Sequence, residues 1–311
     1  WEPAAPGVVT ARMLRTPAPD ALVELTRCHE SFMRRLEGGV YKPPERPGER
    51  AFKLTGYFPR TQLPARPVAA FGLRATDGSD AWFRGNPTLT NHIAAMVRHV
   101  ACESAKSESD RFPGGSNAYV RGKVDQSIDN PARFSYQPVP TIGHIHADGL
   151  IRRVLIAEHA GGDGTHVSWA AQRLRGVSLL DEKTGEPIAI LDAMPSRDSV
   201  TAHYLGPSSS WSSVTPVILP GFDDGKLKKR DALVLKAIRQ AGIPVEAVES
   251  FTLRKAPFWP GSQHPREYRR PSYLRHYPAW HMYIRFRQPV SGPLMIGAGR
   301  HGGLGVLATE C

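Results

Sequence analysis

The chain has 311 residues, enough for two domains with separate cores, and its 41% apolar composition is that of a globular protein and excludes a disordered chain. A formal charge of +11, from 40 Lys and Arg against 29 Asp and Glu, points to an anionic partner. No apolar run approaches the ~20 residues that cross a bilayer, no signal-peptide pattern is visible, and three scattered cysteines (Cys28, Cys102, Cys311) fit a reducing cytoplasm without disulfides.

Residues 1–18 contain several prolines and read as an extended lead-in. Asp20 then caps a helix in which Leu22, Leu25, Cys28, Phe32 and Leu36 form a stripe, and Gly38-Gly39 stops it. Lys42 to Arg50, with three prolines among charges, is a linker or exposed loop. The run RPVAAFGLR (66–74) predicts a buried strand. Residues 91–102 predict an amphipathic helix with Ile93, Met96, Val97, Val100 and Ala101 inward. Residues 105–131 read as a polar, mobile insertion. Strands follow at about 132–137 and 150–157, a helix at about 166–175 and a strand at 187–192. That order is the order of a ferredoxin-like sandwich.

A second pass begins at Trp211. A strand over Ser213 to Leu219, a helix over Leu227 to Ala241 and a strand over Val245 to Arg254 precede an aromatic, proline-rich basic loop at 256–278. Strict alternation in His281 to Arg287 places Met282, Ile284 and Phe286 on one face of a strand and Tyr283, Arg285 and Arg287 on the other. The expected class is α+β: a lead-in over 1–50, a ferredoxin-like domain over 51–200 and a second over 201–311 that lacks a full second helix.

Between residues 251 and 300 nine Lys and Arg face one acid, Glu267. Arg254, Lys255, Arg269, Arg270, Arg285 and Arg287 are interleaved there with Tyr268, Tyr273, Tyr277 and Trp280, a combination that suits phosphates and stacked bases. At the end of the chain Gly297, Gly299, Gly302, Gly303 and Gly305 surround Arg300 and His301 between two short apolar runs. Glycine permits positive φ and close backbone approach, so this loop is expected to bring N–H groups against a phosphodiester chain. A β-branched residue at Gly299 or Gly303 is then expected to weaken binding of such a chain, RNA above all, by steric exclusion.

In GHIHADG (143–149), an extended conformation would project His144 and His146 from one face with Asp148 extending the row. Two histidines are too few for structural zinc, and no metal or other cofactor is expected. RNA supplies its own nucleophile, the 2′-hydroxyl, so cleavage needs little beyond proton transfer and charge stabilisation. His144 and His146 suit proton transfer, Arg152 or Arg153 charge stabilisation, and Tyr204 or His301 a secondary role. The same histidines could instead only satisfy a turn.

These elements resemble the RAMP superfamily of CRISPR-associated proteins. Four ordered blocks, at 143–159, 211–244, 257–262 and 292–308, look like the type I-G (formerly I-U) subunit that fuses the fifth Cas family to the sixth. The resemblance implies a metal-independent endoribonuclease that cuts precursor CRISPR RNA within repeats, leaves a 2′,3′-cyclic phosphate and stays on the RNA stem-loop beside other Cascade subunits. It also implies that target DNA is met only indirectly, that no membrane is involved, and that the chain begins near the middle of that family's length. A catalytically inactive RNA-binding subunit of the same complex is the alternative.

Overall fold

Residues 2–3, 12–48, 51–58, 66–79, 81–123, 132–194 and 198–309 are described by the structure, a computed structural model. They divide into a smaller unit within the first 58 residues and a larger one from residue 66 onward. Among the described residues no helix is long and apolar enough to cross a membrane.

In the smaller unit β1 (Glu2–Pro3), β2 (Arg12–Pro17) and β3 (Phe52–Phe58) form an antiparallel sheet in the order β1-β3-β2. Helix α1 (Ala21–Glu37) starts where Asp20 predicts, although the Asp20 side chain makes no cap bond, and stops at Gly38 and Gly39, the latter at φ +74°. Its expected stripe is only partly inward. Ala21 and Cys28 are buried, whereas Leu22, Leu25 and Leu36 are exposed because nothing in this unit covers them. Residues 40–48 form the expected irregular, exposed segment; 49 and 50 lie outside the described residues.

The larger unit starts with β4 (Val68–Arg74) and α2 (Thr90–Ala105). A 3-10 turn at Lys106–Arg111 and α3 (Gly115–Tyr119) follow, then β5 (Ser135–Pro140), β6 (Ile151–Ala157), α4 (Thr165–Arg173), β7 (Ser178–Leu180) and β8 (Pro187–Ala193). The antiparallel sheet has the order β5-β6-β4-β8-β7. Each helical crossover skips one strand, so β6 returns between β5 and β4, which is the ferredoxin-like arrangement with β7 added outside. Phe71 and Leu73 of β4 and Val154 and Ile156 of β6 pack under α2 and α4. Val68, Leu155 and Ala157, pointing the other way, join Tyr204, Trp259, Met295 and Val306 in another cluster. Both faces of this sheet are therefore covered, which explains why β4 and β6 read as continuous apolar runs.

Residues 105–123 are not a loose insertion. Phe112, Tyr119 and Val120 are buried in the helix-side core, and Phe112 meets Trp169 edge-on with centroids 4.9 Å apart. Three apolar residues this widely spaced give no periodicity, yet they suffice to fix the segment. Residues 124–131, the rest of the expected insertion, lie outside the described residues.

Helix α5 (Ser199–Leu205), capped by the Asp198 carboxylate on Thr201 N, leads into the second half. There β9 (Pro207–Ser213), β10 (Val217–Ile218), α6 (Leu227–Gln240), β11 (Val248–Arg254), β12 (Ala279–Ser291), β13 (Leu294–Met295) and β14 (Val306–Ala308) follow. The strand expected at 213–219 is split and shifted. Val214 N turns to Val306 O at 2.8 Å, and Pro216 has no N–H to continue the ladder. The order β11-β12-β9-β14 is again ferredoxin-like and antiparallel. Met282, Ile284 and Phe286 of β12 pack with Val234, Ala237 and Ile238 of α6, as the alternation predicts. Among the described residues no helix joins β12 to β14; β13 and the glycine loop make the return.

Candidate nucleic-acid interface

The histidine motif forms the turn between β5 and β6. Thr141 and Leu150 close its base, with Thr141 N to Leu150 O at 3.0 Å and Gly149 N to Thr141 O at 3.1 Å. Gly143 and Gly149 take φ of +80° and +72°, so the segment bends where an extended row was expected. His144, Ile145 and His146 stand at its tip, with Ile145 93% exposed. The two imidazole centroids are 6.5 Å apart. His146 N–H donates to His144 Nδ1 at 3.1 Å, which puts the proton of neutral His144 on Nε2, toward solvent.

Asp148 does not extend the row. Both its oxygens accept from Arg152 at 2.6 Å, and Arg152 donates a further bond to Thr141 Oγ1 at 3.0 Å. Hydrogen bonding to Arg152 lowers the Asp148 carboxyl to about 2. Arg152 is thus a brace of the turn. Arg153 is buried, pairs with Asp198 at 2.7 Å and lies 5.1 Å from the Trp82 ring. Tyr204 is fully buried with its hydroxyl on Pro140 O at 2.7 Å, and burial pushes that phenol well above its usual range. Of the six residues singled out for chemistry, His144 and His146 reach the surface together, Arg152 supports them, Arg153 and Tyr204 are buried, and His301, in the glycine loop, bonds Ser135.

His203 of α5 completes the support. Its Nδ1 bonds Thr309 O at 3.0 Å, and its Nε2 is so close to the turn that a Cβ on Gly143 would stand 1.9 Å from it. Gly149 also packs tightly on Gly261, a Cβ there falling 2.6 Å from the Gly261 carbonyl oxygen. His203 and the Gly149–Gly261 contact join residues far apart in sequence. The one local signal at His203 was the Asp198 cap before its helix.

Gly261 belongs to the basic loop at 256–278, which is fixed from below. Ser262 Oγ donates to Val214 O at 2.8 Å, His281 Nε2 bonds Gln263 O at 2.9 Å, and Arg269 N donates to Thr88 O at 2.9 Å. Between this loop, the histidine turn and the start of α2 runs an open groove of about 420 Å³, lined among others by Arg84, Thr88, Asp148, Gly261 and Gln263. Arg84 and Glu267 of its lining are exposed, as are Arg266 and Arg269 on the same loop as Glu267. Arg84 drew no attention in the sequence because it stands alone there.

The cations of this region are held without being neutralised. Arg254 lies 3.6 Å over Phe258 and donates to Pro257 O; Lys255 Nζ lies 3.4 Å over Trp280 and donates to Ala279 O; Arg270 donates to Tyr277 O and Arg287 to Glu246 O. Of the eight Lys and Arg between 251 and 299, only Arg285, with Glu249, is in an ion pair among the described residues.

The glycine loop lies elsewhere in this unit, against α2 and β5. Thr90 Oγ1 donates to Gly303 O at 3.2 Å, Asn91 Nδ2 to Gly302 O at 2.8 Å, and Gln137 Nε2 to Arg300 O. A Cβ would fall 2.6 Å from Ile218 O at Gly297, 2.7 Å from Leu304 at Gly299, 2.6 Å from Thr90 Oγ1 at Gly303 and 1.8 Å from Ile296 O at Gly305. These glycines face the protein's own atoms. Burial lowers Arg300 to about 10, and its NH1 donates to Gly297 O. The His301 ring meets Ser135 Oγ at 2.7 Å, and burial holds it well below the usual histidine range.

Compared with known proteins, residues 1–309 match the sequence model described as CRISPR-associated protein, GSU0054 family. No curated protein and no solved structure matches the chain.

Proposed function

The chain belongs to the GSU0054 family of CRISPR-associated proteins, and from that premise we propose that it is the subunit that cuts precursor CRISPR RNA within its repeats without a metal. On this reading it is a type I-G subunit that keeps the cut RNA inside a Cascade-type complex in the cytoplasm. The observation that supports the reading is the pair of exposed imidazoles, 6.5 Å apart on a braced turn, beside a groove lined by Arg84, Asp148 and Glu267, with Arg266 and Arg269 exposed on the same loop as Glu267. His146 takes the proton from the 2′-hydroxyl as that oxygen attacks phosphorus. His144 turns its Nε2–H toward the charge that grows on the phosphorus-bound oxygens, and the exposed arginines add to that stabilisation. The 5′-oxygen leaves and takes a proton from solvent, giving a 2′,3′-cyclic phosphate and a 5′-hydroxyl.

A second reading, an RNA-holding subunit without cleavage, is favoured by the engagement of Arg152 with Asp148 and of Arg153 with Asp198. Single-turnover incubation with the cognate repeat RNA in EDTA separates the two. The expected result is cutting that a 2′-deoxy substitution at the scissile nucleotide abolishes, and that His146→Ala lowers by ~10²-fold with hairpin affinity kept within a few-fold. Tight binding with no product would leave only the holding role.

A further inference from the structure

A second surface of the larger unit combines exposed aromatic area with fixed cations. Phe222 is 52% exposed and meets Tyr277 edge-on, ring centroids 5.1 Å apart. Its loop is not loose: Leu219 N donates to Pro278 O at 2.9 Å, Lys226 N to Asp223 O at 2.8 Å, and Lys229 pairs with Asp224 at 2.6 Å. Beside the ring pair, Arg270 is held by Tyr277 O at 3.0 Å, while Lys255 at 3.4 Å and Arg230 at 5.1 Å lie over the Trp280 ring. Three carboxylates lie nearby: Asp223 accepts from Gly225 N and its charge acts on Lys255, Asp224 holds Lys229, and Asp231 pairs with Arg230 at 4.0 Å.

An aromatic face kept in water next to Lys255 and Arg270, neither in an ion pair among the described residues, and Arg230, paired only at 4.0 Å, fits a ligand with a flat ring and a phosphate. In paired stems the base faces are already stacked, so only an unpaired nucleotide has a face to offer. We infer that Phe222 and Tyr277, with Lys255, Arg230 and Arg270, form a stacking platform for an unpaired nucleotide of an RNA strand. The inference rests on the RNA-binding part of the proposed function and assigns to it the single-stranded portion of the RNA.

The test is fluorescence anisotropy of the whole chain with three labelled probes: an adenine-only RNA of about twelve nucleotides, the DNA of the same sequence, and a blunt-ended RNA hairpin. Phe222→Ala should weaken the single-stranded RNA about tenfold and the hairpin less than about twofold. Lys255→Gln should reduce the slope of log affinity against log salt on the same RNA by about 0.7. Unchanged single-strand affinity in Phe222→Ala overturns the platform, as does an equal loss on the hairpin or a loss confined to the DNA. Failure of the unaltered protein to bind either RNA would remove the proposed function as well, whereas RNA binding that ignores Phe222 removes the platform alone.

Discussion

Replacing Gly303 with valine separates a loop that receives RNA from a loop that holds the protein together. Gly303 has φ +83°, where a β-branched residue costs roughly 1–3 kcal/mol. Its new Cβ would lie 2.6 Å from Thr90 Oγ1, inside any real contact, so Thr90 must move. Thr90 is fully buried and its hydroxyl lies within reach of Pro138 O and Gly303 O, at 3.4 and 3.2 Å. Stranding that hydroxyl adds about 1–3 kcal/mol. Together the loss is about 4 kcal/mol, or roughly 10 °C in Tm for a unit of this size. The assay is thermal unfolding by circular dichroism, with RNA affinity measured well below the transition. A Tm within a degree or two of the parent, combined with lost RNA binding, would refute the argument and return Gly303 to the ligand surface.

Three further outcomes are expected. Asp198→Asn keeps a cap for α5 but strands the buried Arg153 guanidinium, and should cost about 3 kcal/mol in a chemical denaturation curve. His301 is held by burial below its ordinary value, so the unfolded chain binds its proton first as pH falls. Stability is whole above about pH 6.5 and declines below it, with His301 contributing up to about 1.4 kcal/mol per pH unit; a His301→Asn variant whose slope between pH 6.5 and 5 equals the parent's would contradict this. Asp148, lowered mainly by its Arg152 bond, contributes support that is present above about pH 4 and is lost as pH falls toward about 2. Asp148→Asn should loosen the turn at neutral pH and lower cleavage more than hairpin affinity.

What could be read in the sequence is what strong periodicity writes there. The stripe of α2 and the alternation of β12 appear in the fold as Ile93, Val97 and Ala101 on one side and Met282, Ile284 and Phe286 on the other. Short elements escaped because a few residues carry no period: β7 has three residues and α5 seven. The shift at β9 came from Pro216 and a long-range bond to Val306, which no local window contains. The histidine motif was found, but its shape was set by two glycines at positive φ and by contacts with His203 and Gly261. Glycine density marked the C-terminal loop correctly as a place of close backbone approach, and the structure brings protein atoms there.

Ion pairing separates the arginines into two groups that composition alone had merged. Arg74, Arg111, Arg152, Arg153 and Arg173 each face a carboxylate: Asp192, Glu108, Asp148, Asp198 and Glu108 again. For the little-exposed Arg152 and Arg153 that charge is largely cancelled at short range, so their neutral substitution should register in stability, whereas Arg111 and Arg173 are exposed and share one carboxylate. Arg254, Lys255, Arg270 and Arg287 rest on carbonyl oxygens and ring faces, which fix a cation's position while leaving its charge to act on what approaches. Fixing the side chain in advance also removes part of the ordering entropy that a phosphate would otherwise have to offset. The net charge of +11 is therefore a poor guide to where an anion binds, and the acceptor beneath each cation is a better one.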